Sequence, residues 1–144
     1  RSFQRLGHAD VPNRSFDEHM IVEQEDGSLR MLVRTKYGIG QSFSEDGGLT
    51  WSKGTDSGLG GPSSRFHIRR LRSGRLLLIN HVNFTKRNNL TALLSEDDGK
   101  TWKYSRLIDT RDKLSYPDAD FHDGKIYLTG KNWPELYEIR LIEK

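Results

Sequence analysis

Apolar positions along the chain come in short bursts, each closed by a polar turn. Residues 20–22, 29–34 and 39–43 form one set of bursts. Residues 66–70, 75–82 and 90–94 form a second, and 126–128 with 136–142 belong to a third. No stretch keeps a period of 3.6 through three turns, so helices are not expected. Bursts of this length between turn residues predict strands, and the chain reads as all-β.

Two turn motifs recur through these bursts. Ser44-Glu45-Asp46-Gly47-Gly48-Leu49-Thr50-Trp51 returns as Ser95-Glu96-Asp97-Asp98-Gly99-Lys100-Thr101-Trp102, an offset of 51 residues. Asp26-Gly27, Ser73-Gly74 and Asp123-Gly124 each precede an apolar burst, with glycines 47 and 50 residues apart. A glycine there supplies the positive φ of a tight hairpin. One period of about fifty residues, shared by two motifs, falls in the range of a propeller blade. The 144 residues then hold about three blades. A ring of blades closes only when its last blade meets its first. An arc of three is expected to expose apolar flanks and to need a partner: a preceding segment, a bound cleaved fragment or a second copy.

The Ser-x-Asp-x-Gly-x-Thr-Trp box is first a turn device. Its Asp can accept backbone N–H groups of the loop, and its Gly permits a left-handed backbone. Ser44, Asp46, Gly48 and Trp51, with Ser95, Asp97, Gly99 and Trp102, are therefore expected to be structural.

Composition narrows the chemistry. The chain has no cysteine, which removes disulfides, thiolate metal sites and thiol catalysis. Its five histidines lack metal-ligand spacing, so neither a metal nor a cofactor is expected. The net charge is +3 with both signs interspersed, which does not by itself point to nucleic acid. The densest basic run, Arg69-Arg70-Leu71-Arg72-Ser73-Gly74-Arg75, reads as a solvated hairpin tip, and Arg65 and Arg70 as salt-bridged sheet-edge charges. No apolar run is long enough for a transmembrane helix. The opening residues carry no signal-peptide core and read as a processed or truncated start. The compartment stays open, with a secreted or periplasmic location expected.

Two such boxes with Asp-Gly hairpins resemble the sialidase (neuraminidase) superfamily, whose repeats are also called BNR repeats. The resemblance runs from about Asp17 onward and implies the C-terminal half of a six-bladed β-propeller that cleaves terminal sialic acids. The family's site uses three arginines for the sugar carboxylate, a tyrosine nucleophile, a glutamate that activates it and an aspartate acid/base. Glu18, ahead of the Asp26-Gly27 hairpin, matches the activating glutamate. Arg34, ending the next strand, matches the second arginine, and Arg87 before the second box matches the third. Tyr116, in Ser115-Tyr116-Pro117-Asp118, matches the nucleophile. His19 and Asp118 are further candidate substrate contacts. Nothing in the chain matches the first arginine or the acid/base, so the resemblance places both outside these residues.

Each residue also has a structural role open to it. Tyr116 could be a strand-end aromatic, Glu18 a surface carboxylate and Arg87 a loop charge. Pro117 is expected to hold Tyr116 extended. The functional expectation is a retaining glycoside hydrolase of sialidase-like type for a terminal anionic sugar, inactive or nearly so without the remaining blades. The alternative is a non-catalytic carbohydrate-binding or scaffold propeller.

Overall fold

The computed structural model of the chain describes residues 2–83 and 85–140. Eleven strands form three antiparallel meanders among these residues. The first sheet runs β1 (Arg14–Glu23), β2 (Leu29–Thr35), β3 (Gly38–Ser44) and β4 (Thr55–Asp56). The second runs β5 (His67–Arg70), β6 (Leu76–His81), β7 (Leu90–Ser95) and β8 (Tyr104–Asp109). The third has β9 (Ser115–His122), β10 (Lys125–Lys131) and β11 (Tyr137–Arg140). The strand expected over 136–142 is β11, and residues 141 and 142 lie outside the described part. The first strands of successive sheets stand side by side, β1 against β5 and β5 against β9. The described residues build three sheets, the number that the period of about fifty residues led to expect.

The series of sheets explains the burial of β6. All six of its residues are buried, although strands alternate their faces. Leu76 and Leu78 join Val22, Leu32, Ile39, Phe66 and Ile68 in the core between the first and second sheets. Leu77 and Ile79 join Leu90, Leu114, Ile126, Leu128 and Trp133 in the core between the second and third. A strand covered on both faces needs an unbroken apolar run, and that is what 76–79 provides.

The open flanks differ from the apolar surface that an incomplete arc was expected to show. On the third sheet the outward face carries Tyr127, Thr129 and the ion pairs of Glu138 with Lys125 (3.2 Å) and Arg140 (2.6 Å). On the first sheet, Val11 from the N-terminal segment lies over Gly40, where an added Cβ would meet Val11 Cγ1 at 2.5 Å. Ile21 stays exposed there and Met31 half-buried. Polar pairs and a covering segment therefore shield much of what bare blades would leave open.

The turns gather at one end of the sheets. Leu29 pairs with Ser44, so the β1–β2 hairpin and the β3–β4 box share that end. The first two hairpins are alike: Gly27 N–H donates to Gln24 O, and Gly74 N–H to Leu71 O, both at 3.0 Å. The third is tighter, with Asp123 and Gly124 both at positive φ, 48° and 72°.

The two boxes share the bonds of their Ser, Asp and Thr residues. The Ser44 hydroxyl donates to Asp46 and accepts from Gly48 N–H, each at 2.8 Å, and Ser95 repeats both bonds with Asp97 and Gly99. The Thr50 N–H and hydroxyl then donate to Asp46 at 2.9 and 2.6 Å, as those of Thr101 do to Asp97 at 2.8 and 2.6 Å. Side-chain and backbone donors from Thr50 and Thr101 hold both carboxyls down at about 2. A depressed carboxyl pKa stabilises the fold fully above the unfolded value of about 4, and that stabilisation fades as pH falls towards 2. Unfolding midpoints are therefore expected to drop between pH 4 and 2, and less in an Asp46→Asn/Asp97→Asn variant. Parallel pH profiles for the two proteins would contradict this.

The boxes differ at two positions, Gly47/Asp98 and Leu49/Lys100, and the first of these changes the contacts. Gly47 of the first is Asp98 in the second, and both are left-handed, at φ 69° and 60°. Asp98 accepts the Glu25 N–H at 2.8 Å and pairs with Arg70. Arg70 also donates to the Glu23 carbonyl at 2.6 Å and to the Gly74 carbonyl at 2.6 Å. Arg30, from β2, reaches the Gly99 carbonyl at 3.2 Å. The second box is thereby laced to the first sheet. Burial works against the Asp98 charge, but the Glu25 N–H and the Arg70 guanidinium outweigh it and hold the carboxyl below its usual range.

Candidate functional site

The opposite end of the sheets holds Arg34, which pairs with Ile39 beside the β2–β3 turn. Arg30, Leu32 and Arg34 share the face of β2 turned to the second sheet. Leu32 is in the core, and Arg34 follows where the strand reaches the open end. Glu18 lies on the same face of β1 as Met20 and Val22. A register shift between Arg14 and His19 contains Phe16, whose φ of 54° is unusual for a bulky side chain.

These deviations converge on Arg34. Its side chain is 4% exposed, so its charge needs partners. Nη1 donates to Glu18 Oε2 at 2.7 Å, and Nε donates to Ser63 Oγ at 3.3 Å. The Phe16 ring lies over the guanidinium at 4.5 Å. Nη2 has no hydrogen bond among the described residues.

Ser63 carries the connection onward. Its carbonyl accepts from Arg87 Nη2 at 3.3 Å, on the connection between β6 and β7. Two arginines from different sheets are thus joined through one serine. Arg87 keeps Nε and Nη1 free of hydrogen bonds among the described residues. Free donors on both sides of Ser63 suit an acceptor with two oxygens, because a guanidinium presents its N–H groups as a planar fork.

Tyr116 lies on the far side of Arg87. The two share a cavity of about 520 Å³ with Lys86, Asp112, Lys113 and Lys131. Lys131 Nζ stands 5.9 Å from the Tyr116 ring centroid, and the phenol makes no hydrogen bond among the described residues. The expected extended backbone is not found: Tyr116 has φ 55°. The reason is local, a register shift where Ser115 pairs with Lys131 after Asp118 has paired with Thr129.

Glu18, Arg34 and Arg87 therefore form one continuous cluster, and Tyr116 meets that cluster at Arg87. Glu18 makes no hydrogen bond to Tyr116 among the described residues; its bonded oxygen belongs to Arg34. His19 points from the opposite face of β1 and is exposed. Asp118 turns to β5, with Oδ1 3.2 Å from His67 Nδ1 but not aligned as a hydrogen bond. Burial pushes the His67 pKa down, and Asp118 counters it in part. Arg70 lies at the box end, in the clasp already described.

Three contributors were not visible in the sequence. Ser63 acts through a hydroxyl and a carbonyl, Phe16 through a strained backbone, and His81 through its place in the fold. On β6, His81 occupies the position that Arg34 holds on β2. Burial lowers its pKa to about 4, and its Nε2 sits 2.9 Å from the Leu114 carbonyl. One sheet thus ends its second strand in a cation and the next in a neutral ring. No group of three or more His, Asp or Glu side chains is placed to hold a metal among the described residues.

The repeated boxes and the three meanders fit a known family. The BNR repeat-like domain matches residues 8–128, most of the chain. This chain belongs to the BNR repeat-like family. Its sheets also superpose on solved sialidase-type structures. A Hadza microbial sialidase, Hz136, is 23% identical with a TM-score of 0.69, over 84% of this chain and 26% of that one. The intramolecular trans-sialidase of Ruminococcus gnavus, solved with oseltamivir carboxylate, is 25% identical with a TM-score of 0.70, over 88% of this chain and 30% of that one. The leech intramolecular trans-sialidase is 22% identical with a TM-score of 0.70, over 92% and 25%. The BNR repeat chain therefore spans about a third or less of these proteins. No curated protein sequence matches it.

Proposed function

We propose that this BNR repeat chain supplies the carboxylate-binding side of a site for a terminal acidic sugar of the sialic acid kind. The observation that carries the reading is the Arg34–Ser63–Arg87 bridge, which leaves guanidinium donors free on both sides of one serine. The sugar carboxylate accepts from these donors. Tyr116, in the cavity next to Arg87, then faces the anomeric carbon.

In the hydrolytic form of the proposal, Glu18 takes the phenol proton and Tyr116 attacks the anomeric carbon. An acid from outside this chain protonates the departing oxygen. Water then cleaves the glycosyl–tyrosine bond, and the sugar leaves with retained configuration. A neutral phenol suits this attack because a charged nucleophile would be repelled by the sugar's own carboxylate. A remaining set of blades, or a second copy, would supply the acid and the first arginine.

One observation favours a second reading. Glu18 is bonded to Arg34 rather than to Tyr116. In a binding propeller without catalysis, Glu18 serves only to hold the arginine in place.

Titration of the 144-residue chain with N-acetylneuraminic acid, followed by NMR, tests the binding step. Shifts are expected at Arg34, Ser63 and Arg87. Arg87→Ala is expected to weaken binding by about tenfold or more, the worth of about 1.4 kcal/mol. Tyr116→Phe is expected to leave affinity within about twofold, because a nucleophile contributes to the reaction more than to ground-state binding. No binding at millimolar sugar, or equal binding by Arg87→Ala, would overturn the reading.

A further inference from the structure

The cavity beside Tyr116 carries more positive charge than one carboxylate requires. Lys86, Arg87, Lys113 and Lys131 line it, against the single carboxylate of Asp112. None of these four cations makes an ion pair among the described residues. Arg87 is directed to Ser63 and the arginine bridge. The three lysines thus outnumber Asp112, the one carboxylate among the lining residues. Like charges gathered around a concave space repel one another and concentrate anions from solution.

The backbone of this cavity is also unusual. Lys113, Tyr116 and Asn132 all line it, and all have left-handed φ, at 66°, 55° and 67°. Non-glycine residues at positive φ are uncommon, and such strain gathers where a fold holds side chains for a ligand. Lys113 comes from the β8–β9 connection, Lys131 and Asn132 from the end of β10 and Lys86 from the β6–β7 connection. Three separate segments of chain therefore each bring a lysine to one space.

We infer that this cavity is a second anion subsite, taking an acidic group on the sugar next to the one held by the arginines. The inference rests on the arginine bridge being the first subsite. The substrate class is then a glycan with acid groups on two successive residues, either carboxylate or sulfate. Ammonium groups fit this task because they are point donors that accept either anion without a fixed plane, unlike a guanidinium fork.

The test compares a sugar with one acid group and sugars with two. N-acetylneuraminic acid is the first probe; its α2,8-linked dimer and a sulfated sialyl disaccharide are the others. Both dianionic probes are expected to bind wild-type chain at least about tenfold more tightly than the monomer at low salt, and the gain should shrink as salt rises. In Lys86→Ala/Lys113→Asn the gain should vanish while monomer affinity stays within about twofold. Asparagine is chosen at 113 because it tolerates a left-handed backbone. Gain with only one dianionic probe assigns the subsite to that acid group. The same dimer-to-monomer ratio in variant and wild type would overturn the inference. If no sugar binds wild type, the arginine reading fails, and inorganic sulfate decides the lysine cavity alone: NMR shifts at Lys86, Lys113 and Lys131 that the variant lacks support an anion site, and none there refutes it.

Discussion

Truncating Phe66 to alanine is expected to lower the unfolding free energy by about 3–5 kcal/mol, the range for removing a fully buried aromatic ring. Phe66 is 1% exposed and sits in the core between the first and second sheets, with Leu32, Ile39, Ile68, Leu76 and Leu78 around it. The ring fills a space bounded by two strand layers that cannot collapse without breaking their ladders. Thr129→Ala, on the outward face of the third sheet, is expected to change stability by no more than about 0.5 kcal/mol. Urea midpoints at fixed slope would measure both. A small Phe66 effect would mean that the sheets pack loosely, and that the hydrogen bonds of the turns, rather than the inter-sheet core, hold them together.

Replacing Arg34 by methionine is the second large effect. The substitution keeps a long apolar stem but leaves the Glu18 carboxylate, partly buried, without its partner. Breaking such a pair from one side costs about 3–5 kcal/mol for buried pairs, and exposure of Glu18 at 21% moves the expectation to the lower end of that range. Arg34→Met combined with Glu18→Gln should recover part of the loss, since no lone charge then remains. Sugar-acid binding should be lost in both proteins. A double variant that regains stability but not binding separates the ion pair's part in the fold from the arginine's part in recognition. A double variant that still binds the sugar acid would remove Arg34 from the proposed site.

The sequence showed those parts of this fold that rest on turn chemistry and on continuous apolar runs. Asp46, Asp97 and the hairpin glycines marked where strands end, and the apolar burst over 75–82 marked the strand that the structure buries on both faces. The last strands of the first two meanders were not legible. β4 is two exposed residues, and β8 is exposed over most of its length, so neither carries an apolar alternation. β9 hides its buried face behind Ser115, Pro117 and Ala119, small residues that no hydrophobic pattern registers. At the candidate site, the alternation of β1 did place His19 opposite Glu18. The partner of Glu18 could not be read, because it depends on a register shift around Phe16 and on Ser63 from the connection between β4 and β5. Backbone strain at Tyr116 was likewise invisible, since the following proline argued for the opposite conformation.

The clasp around Asp98 bears on fidelity of assembly. A chain with a repeated box runs the risk that one blade docks where another belongs, because the two boxes share the bonds of their Ser, Asp and Thr residues. Gly47 and Asp98 differ at a box position whose side chain, in the second box, reaches a neighbouring sheet. A blade carrying glycine there cannot answer Arg70, and a blade carrying aspartate in the wrong seat would strand a carboxylate. The residue acts as a key that admits each repeat to one place in the order, by penalising the exchange of blades more than by strengthening the correct contact.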